Sequence, residues 1–236
     1  SATVPQSAID QVEVLLSGLP AMYGDATGGI INMTTKGPSR TFGAGIELET
    51  SELLDSYGHN RGGFSVQGPL IKGKSSETAL LGFFLSGEFN YDRDGALSAV
   101  GHYKASDNWL EYIKENPIRV SGTGSGTYLN GEYTRMGSME YMKSSQNTSG
   151  WNANFAGNIN VRTTETINLT FGGTFNLSKY NAYSRSSAYF NADKNAVGKD
   201  QTWRVYGRFT QRFPTPQEST SLIKNFYYSL QVDYSR

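Results

Sequence analysis

The chain has 236 residues, 21 Lys and Arg against 21 Asp and Glu, and no cysteine. Balanced charge excludes a basic nucleic-acid-binding surface, and the missing thiols exclude disulfide scaffolds, thiol nucleophiles and cysteine metal sites. Charged residues are only 18%, below the roughly 25% of soluble domains, while aromatics reach 13% and glycines number 27, so the chain is not disordered.

Composition shifts near residue 40. Before it, residues 12–16 read as a strand, followed by a tight turn, a small-residue hinge at Gly28-Gly29 and a second strand over 30–35. After it, apolar and polar residues alternate with period 2, the mark of strands with two unlike faces. The pattern predicts strands over 41–50, 62–68, 79–91, 151–161, 166–179, 203–213 and 226–234. Most approach the ten or so residues a tilted strand needs to cross a bilayer.

One face of these strands carries Phe, Leu, Ile and Val, and the other carries Asn, Thr, Arg and Glu. A soluble sandwich also alternates, so three further features decide for a membrane barrel. Aromatics stand at strand ends, among them Phe42, Tyr91, Trp151, Trp203, Phe213, Phe226 and Tyr234. Glycine recurs inside strands, where a soluble sheet loses stability. Short connections (70–78, 162–165, 214–221) alternate with long ones (92–150, 180–202), as turns and outer loops do in such barrels; the moderate 51–61 connection is the least regular. No apolar run is long enough for a spanning helix.

The long segment 92–150 predicts two short helices. Ser106 or Asp107 caps 108–114, and Ser138 caps 139–146, with the glycines of 122–126 as loop between them. Seven strands cannot close, because single-chain bacterial barrels use an even number of at least eight. Open edges in lipid leave backbone groups unsatisfied. The expectation is a piece of a longer polypeptide.

Residues 9–38 carry the most specific pattern: Val12-Glu13-Val14-Leu15, Gly18, Ala21, Tyr23-Gly24, Gly28-Gly29-Ile30-Ile31-Asn32 and Thr34-Thr35-Lys36. This segment resembles the end of the plug domain of TonB-dependent outer-membrane transporters. Leu54-Asp55-Ser56-Tyr57-Gly58, Gly68-Pro69-Leu70 and 82–88 resemble the first barrel strands of large SusC-related receptors. The 18–36 motif looks more like the carboxypeptidase-like-domain type. The resemblance is strong over 9–91 and looser beyond.

The resemblance implies an all-β membrane protein: part of a 22-stranded barrel (41–236) with the C-terminal end of its plug (1–40). It implies active uptake of a glycan, peptide, siderophore or vitamin across the Gram-negative outer membrane. Its implied partners are outer-membrane lipids, TonB through a preceding segment, and a SusD-like surface lipoprotein or other outer-membrane subunits. The implied plug-motif residues are Tyr23, Gly24, Gly28, Gly29, Asn32 and Lys36. The other reading is a receptor-like barrel kept as a structural subunit of a larger outer-membrane complex. A soluble carbohydrate-binding sandwich is disfavoured by the apolar aromatic faces and the plug motif.

The remaining chemistry is sparse. Arg204, Tyr206, Arg208 and Arg212 share one face and form a positive lumen stripe, facing either an anionic substrate or carboxylates, with Glu47 and Glu49 as candidate partners. Asp92-Arg93-Asp94-Gly95 lacks the bidentate Glu of a calcium loop and reads as a strand-end turn. His59 and His102 stand alone in loops. Residues 122–126 lack the Lys-Ser/Thr of a phosphate loop. No nucleophile, base and orienter assemble, so no enzyme, metal or cofactor is expected.

Overall fold

A computed structural model of the chain describes residues 4–15, 29–73, 79–95, 98–214 and 225–236. In chain order the elements are β1 (Ile9–Leu15), β2 (Ile30–Thr35), β3 (Gly43–Thr50), β4 (His59–Lys72), β5 (Ala79–Asp92), β6 (His102–Ala105), α1 (Asp107–Glu115), β7 (Ile118–Val120), β8 (Thr127–Leu129), β9 (Met139–Met142), β10 (Gly150–Arg162), β11 (Ile167–Asn181), β12 (Val197–Phe213) and β13 (Phe226–Ser235). Seven of them form one sheet in the order β13-β12-β11-β10-β5-β4-β3. Every pairing in it is antiparallel. These are the seven strands that the alternation predicts. β4 runs well past 62–68, because Gly62-Gly63 and Gly68-Pro69 interrupt its apolar rhythm without ending it. The sheet absorbs Pro69 by register shifts between Pro69 and Lys72.

The two faces of this sheet invert the pattern of a soluble protein. Leu48, Phe89, Ile159, Phe171, Val205 and Leu230 are exposed on one face, while Ser86, Asn154, Asn158 and Asn176 are buried on the other. Water-soluble sheets bury the apolar face, so an exposed apolar band backed by a buried polar one fits contact with lipid. Aromatic pairs stand across neighbouring strands on this outer face: Phe89 on Trp151 at 6.0 Å between centroids, and Phe213 on Phe226 at 5.8 Å.

The N-terminal segment docks on the polar face. The turn at Gln6–Ala8 places Ala8 against Phe84 and Ala156, with Val4 beside them. The backbone N–H of Gln6 donates to Glu88 Oε2 at 3.2 Å. Further on, Asn158 Nδ2 donates to the Lys36 carbonyl at 2.9 Å, and the Lys36 N–H donates to the Ala8 carbonyl at 2.8 Å. The antiparallel β1–β2 hairpin springs from these tie points.

Between β5 and β10 the chain builds a small layer of its own at the long-loop end. Ser106 is the cap of α1, its Oγ accepting from Trp109 N–H. Trp109 stacks on Tyr112 at 5.3 Å and donates Nε1–H to Thr134 Oγ1 at 2.8 Å. The helix expected over 139–146 does not form; Met139–Met142 is strand β9, paired with β6. Cross-strand contacts override local helix preference here: Tyr103 meets Tyr141 edge-on at 5.6 Å, and Lys104 pairs with Glu140 at 3.2 Å. β7 and β8 form a hairpin closed by 121–126, with Gly124 and Gly126 at positive φ. Among the described residues no helix is long and apolar enough to cross a membrane.

Candidate functional site

Alternation along β12 sends Arg204, Tyr206, Arg208, Thr210 and Arg212 to the polar face. Opposite them, β2 of the docked N-terminal segment presents Asn32 and Thr34. A cleft of about 630 Å³ separates the two, floored by Asn158, Asn160, Asn168 and Thr170. The structure thus brings Asn32 and the four residues of the predicted stripe to one cavity.

Register decides the electrostatics of the stripe. Tyr206 lies opposite Asp233 and Arg208 opposite Gln231 on β13. Arg204 forms its ion pair with Asp233. Arg208 Nε donates to the neutral amide oxygen of Gln231 at 2.7 Å, and its guanidinium stands 5.9 Å from the Tyr206 ring. Arg212 has no ion-pair partner among the described residues. Tyr206 lies over Gly172 of β11, where a Cβ would sit 2.6 Å from its hydroxyl.

Glu47 and Glu49 are not the partners of this stripe. β3 lies five strands from β12, roughly 24 Å at the usual strand spacing. Both glutamates face Arg61 of β4, at 3.3 and 3.4 Å, and Arg61 also holds Glu88 at 2.9 Å. Arg61 and Asp233 were not evident from the sequence: Arg61 falls outside the 62–68 run, and Asp233 meets Arg204 only through a register that alternation does not specify.

Of the plug-motif residues, Tyr23, Gly24 and Gly28 lie outside the described residues. Gly29 has φ 116°, a conformation L side chains avoid, at the entry to β2. Asn32 pairs with Glu13 across the hairpin and lines the cleft. Lys36 contributes its backbone to the docking just described.

Neither histidine is solitary. His59 Nδ1 meets Asp92 Oδ1 at 2.7 Å. His102 Nε2 stands 3.1 Å from Ser145 Oγ and 3.8 Å from Asp94 Oδ2. The geometry differs from a hydrolytic relay, in which serine and aspartate hold opposite ring nitrogens: here the shorter serine contact and the aspartate are both at Nε2, and Asp94 accepts the Ser145 backbone N–H at 2.6 Å. Asp94 therefore clasps the loop, in keeping with a strand-end turn. No group of three metal-ligating side chains occurs among the described residues. In the loops, the Tyr57 backbone N–H holds Asp55 below the usual carboxylate range, and a hydrogen bond to Glu140 raises Lys104.

No family model matches the chain. A stretch of 90 residues, 37% of the chain, is 39% identical to the probable TonB-dependent siderophore receptor PirA of Acinetobacter baumannii. That stretch covers 11% of the relative. Among solved structures, a mutant of the ferric enterobactin receptor PfeA of Pseudomonas aeruginosa is similar over 98% of this chain and 28% of its own, at 16% identity and TM-score 0.50. The crystal structure of PirA from Acinetobacter baumannii is similar over 97% of this chain and 35% of its own, at 17% identity and TM-score 0.38. The chain thus spans about a third or less of each relative. These relatives are siderophore receptors, and they lend no support to a SusC-related subtype or a SusD-like partner. With the exposed apolar band and the docked N-terminal segment, the likeness to PfeA gives the fold: a wall of transmembrane β-barrel carrying the end of a plug, as in TonB-dependent receptors.

Proposed function

We propose that the chain is the end of the plug (1–40) and the first seven or so barrel strands (41–236) of a TonB-dependent transporter in a Gram-negative outer membrane. The long connections between β5 and β10 (93–149) and between β11 and β12 (182–196, shorter than the expected 180–202 because β12 begins at Val197) are its outer loops. The ligand is an iron–siderophore, the class named in the relatives, in preference to a glycan, peptide or vitamin. The observation that carries this reading is the docking of the N-terminal segment on the polar inner wall, through Ala8 on Phe84, Gln6 on Glu88 and Lys36 on Asn158. A wall so occupied is no open pore, and passage needs the docked segment to shift. Energy for that shift comes from TonB, engaging a segment that precedes the plug. Asn32, Arg204, Tyr206, Arg208 and Arg212 face the ligand's route, whereas Glu47 and Glu49 secure the wall through Arg61.

The test is uptake by the full-length receptor in cells lacking other iron receptors. Radioactive iron supplied as a panel of siderophores is expected to enter, and loss of TonB to abolish entry. Absence of TonB-dependent entry for siderophores, glycans, peptides and cobalamin alike would leave a structural subunit as the surviving reading.

A further inference from the structure

The lumen-facing arginines of the wall divide by position. Arg61 and Arg204 are each matched by carboxylates. Arg208, Arg212 and Arg162, nearer the short-turn end, have no carboxylate ion pair among the described residues. Arg208 has a neutral amide, and Arg162 donates only to the Glu165 backbone carbonyl at 3.4 Å. The Glu165 carboxylate pairs with neither Arg162 nor Arg212. The cleft behind β2 continues into a second cavity of about 180 Å³ that shares Asn160 and Asn168 with it and is lined by Arg162 and Arg40. Arginines are therefore held in direct ion pairs midway along the wall, whereas among the described residues those towards its short-turn end have no carboxylate in contact, Asp233 acting on Arg208 only at longer range.

A second observation points to a ligand in this channel. Asn158 is 8% exposed and uses its amide N–H on Lys36, but its Oδ1 has no hydrogen-bond partner. Thr174 Oγ1 is also unmatched, and both residues line the cleft level with Tyr206 and Arg204, on the path that leads to the short-turn arginines. Buried polar atoms are rarely left so, and a polar molecule passing over them would satisfy them.

We propose that the short-turn end of the cleft, around Arg208, Arg212 and Arg162, is an anion-binding station for a multivalent oxyanion. Guanidinium groups suit such oxygens because they donate in pairs from a rigid plane. With no carboxylate in contact among the described residues, these guanidinium groups are open to an anion moving along the cleft from the midpoint of the wall towards the turns. The station's use, receiving an anionic ligand as the plug shifts, rests on the transport reading; its electrostatics do not.

The test uses the full-length receptor with Thr210→Cys as its sole cysteine, since Thr210 lies between Arg208 and Arg212 on the same face. Anionic and cationic methanethiosulfonate reagents report the local potential through their relative labelling rates. The anionic reagent is expected to react about tenfold faster, as in clefts that concentrate counter-ions. Pyrophosphate should slow that labelling, and Arg208→Gln with Arg212→Gln should bring the two rates together. Equal rates in the parent, or rates indifferent to pyrophosphate and to loss of the arginines, overturn the station. Uptake is measured alongside: the double substitution should slow entry of an anionic siderophore several-fold. If the labelling behaves as expected but the parent takes up nothing, the transport reading fails and the station stands.

Discussion

Arg61 of β4 and Glu88 of β5 face each other across the strand pair at 2.9 Å, with side chains only 14% and 11% exposed. The same carboxylate oxygen accepts the Gln6 backbone N–H. One ion pair thus joins three pieces of chain, two wall strands and the docked segment. Glu47 and Glu49 complete a ring of three carboxylates about a single guanidinium.

Arg61→Ala should therefore cost more than Glu88→Gln. The first leaves three carboxylates crowded without a cation. The second removes one charge, keeps an acceptor for Gln6 and leaves Arg61 two partners. For a largely buried pair the loss on Arg61→Ala should be about 3 kcal/mol, and about 1 kcal/mol for Glu88→Gln. Urea unfolding of the full-length receptor in detergent, followed by tryptophan fluorescence, measures both. Equal midpoints would show that the ring does not hold the segment to the wall.

The 51–58 connection has its own acid sensitivity. The Tyr57 backbone N–H donates to Asp55 Oδ1 at 2.8 Å, and Ser51 Oγ donates to the same oxygen at 2.9 Å. These donors lower the folded-state pKa of Asp55, Tyr57 foremost. A depressed carboxylate contributes stability that is complete above its unfolded value, about 3.9, and is lost as pH falls through the lower folded value. The Tyr57 amide resonance should accordingly titrate with a midpoint below that of an ordinary aspartate, and Asp55→Asn should abolish the transition. A midpoint at or above the ordinary value would mean that the turn does not stabilise the anion.

What the sequence disclosed, and what it hid, follows from the range of the forces involved. Alternation is local, so 151–161 and 226–234 read as strands within a residue, and the Ser106 cap of α1 is written in its neighbours. The predicted 203–213 misses the first six residues of β12, because Gly198, Lys199, Asp200 and Gln201 carry no apolar beat and extend the strand only by pairing with β11. Pairing is not local. Glu140 and Tyr141 suit a short helix until Lys104 and Tyr103 stand beside them, some 35 residues away in the chain. The stripe on β12 was legible as a face, but its partners depend on which strand lies next to it. That is why Asp233, and not Glu47 or Glu49, neutralises Arg204. Arg61 was hidden by the two glycines that follow it.

Gly172 gives the Tyr206 ring its place at the wall of the cleft. Gly172→Val puts a branched side chain where the ring lies, with a Cβ only 2.6 Å from the hydroxyl oxygen. The ring must swing into the cleft, away from the wall, at a cost of about 1–3 kcal/mol for the crowding. Uptake should fall with it, and Gly172→Val with Tyr206→Ala should recover stability relative to Gly172→Val alone. Failure of the second change to recover the first would place the ring elsewhere. Urea midpoints for the two variants decide the point.

The three tryptophans test the membrane reading residue by residue. Trp151 stacks on Phe89, and Trp203 stands 5.2 Å from Tyr234, both on the exposed apolar face of the sheet. Trp109 belongs to α1 in the loop layer, with its Nε1 bonded to Thr134. A bilayer touching the apolar band should therefore reach two of the three. Receptors retaining one tryptophan at a time, with every other replaced by Phe and reconstituted into vesicles of lipid brominated along its acyl chains, separate the cases. Bromine quenches on contact, so emission from Trp151 and Trp203 should fall by about half or more, while Trp109 keeps its intensity, because aromatic girdles lie at the edges of the hydrocarbon and loops lie outside it. Iodide in the aqueous phase should give the reverse order. Strong lipid quenching of Trp109, or none for Trp151 and Trp203, would mean that the exposed apolar face meets something other than acyl chains.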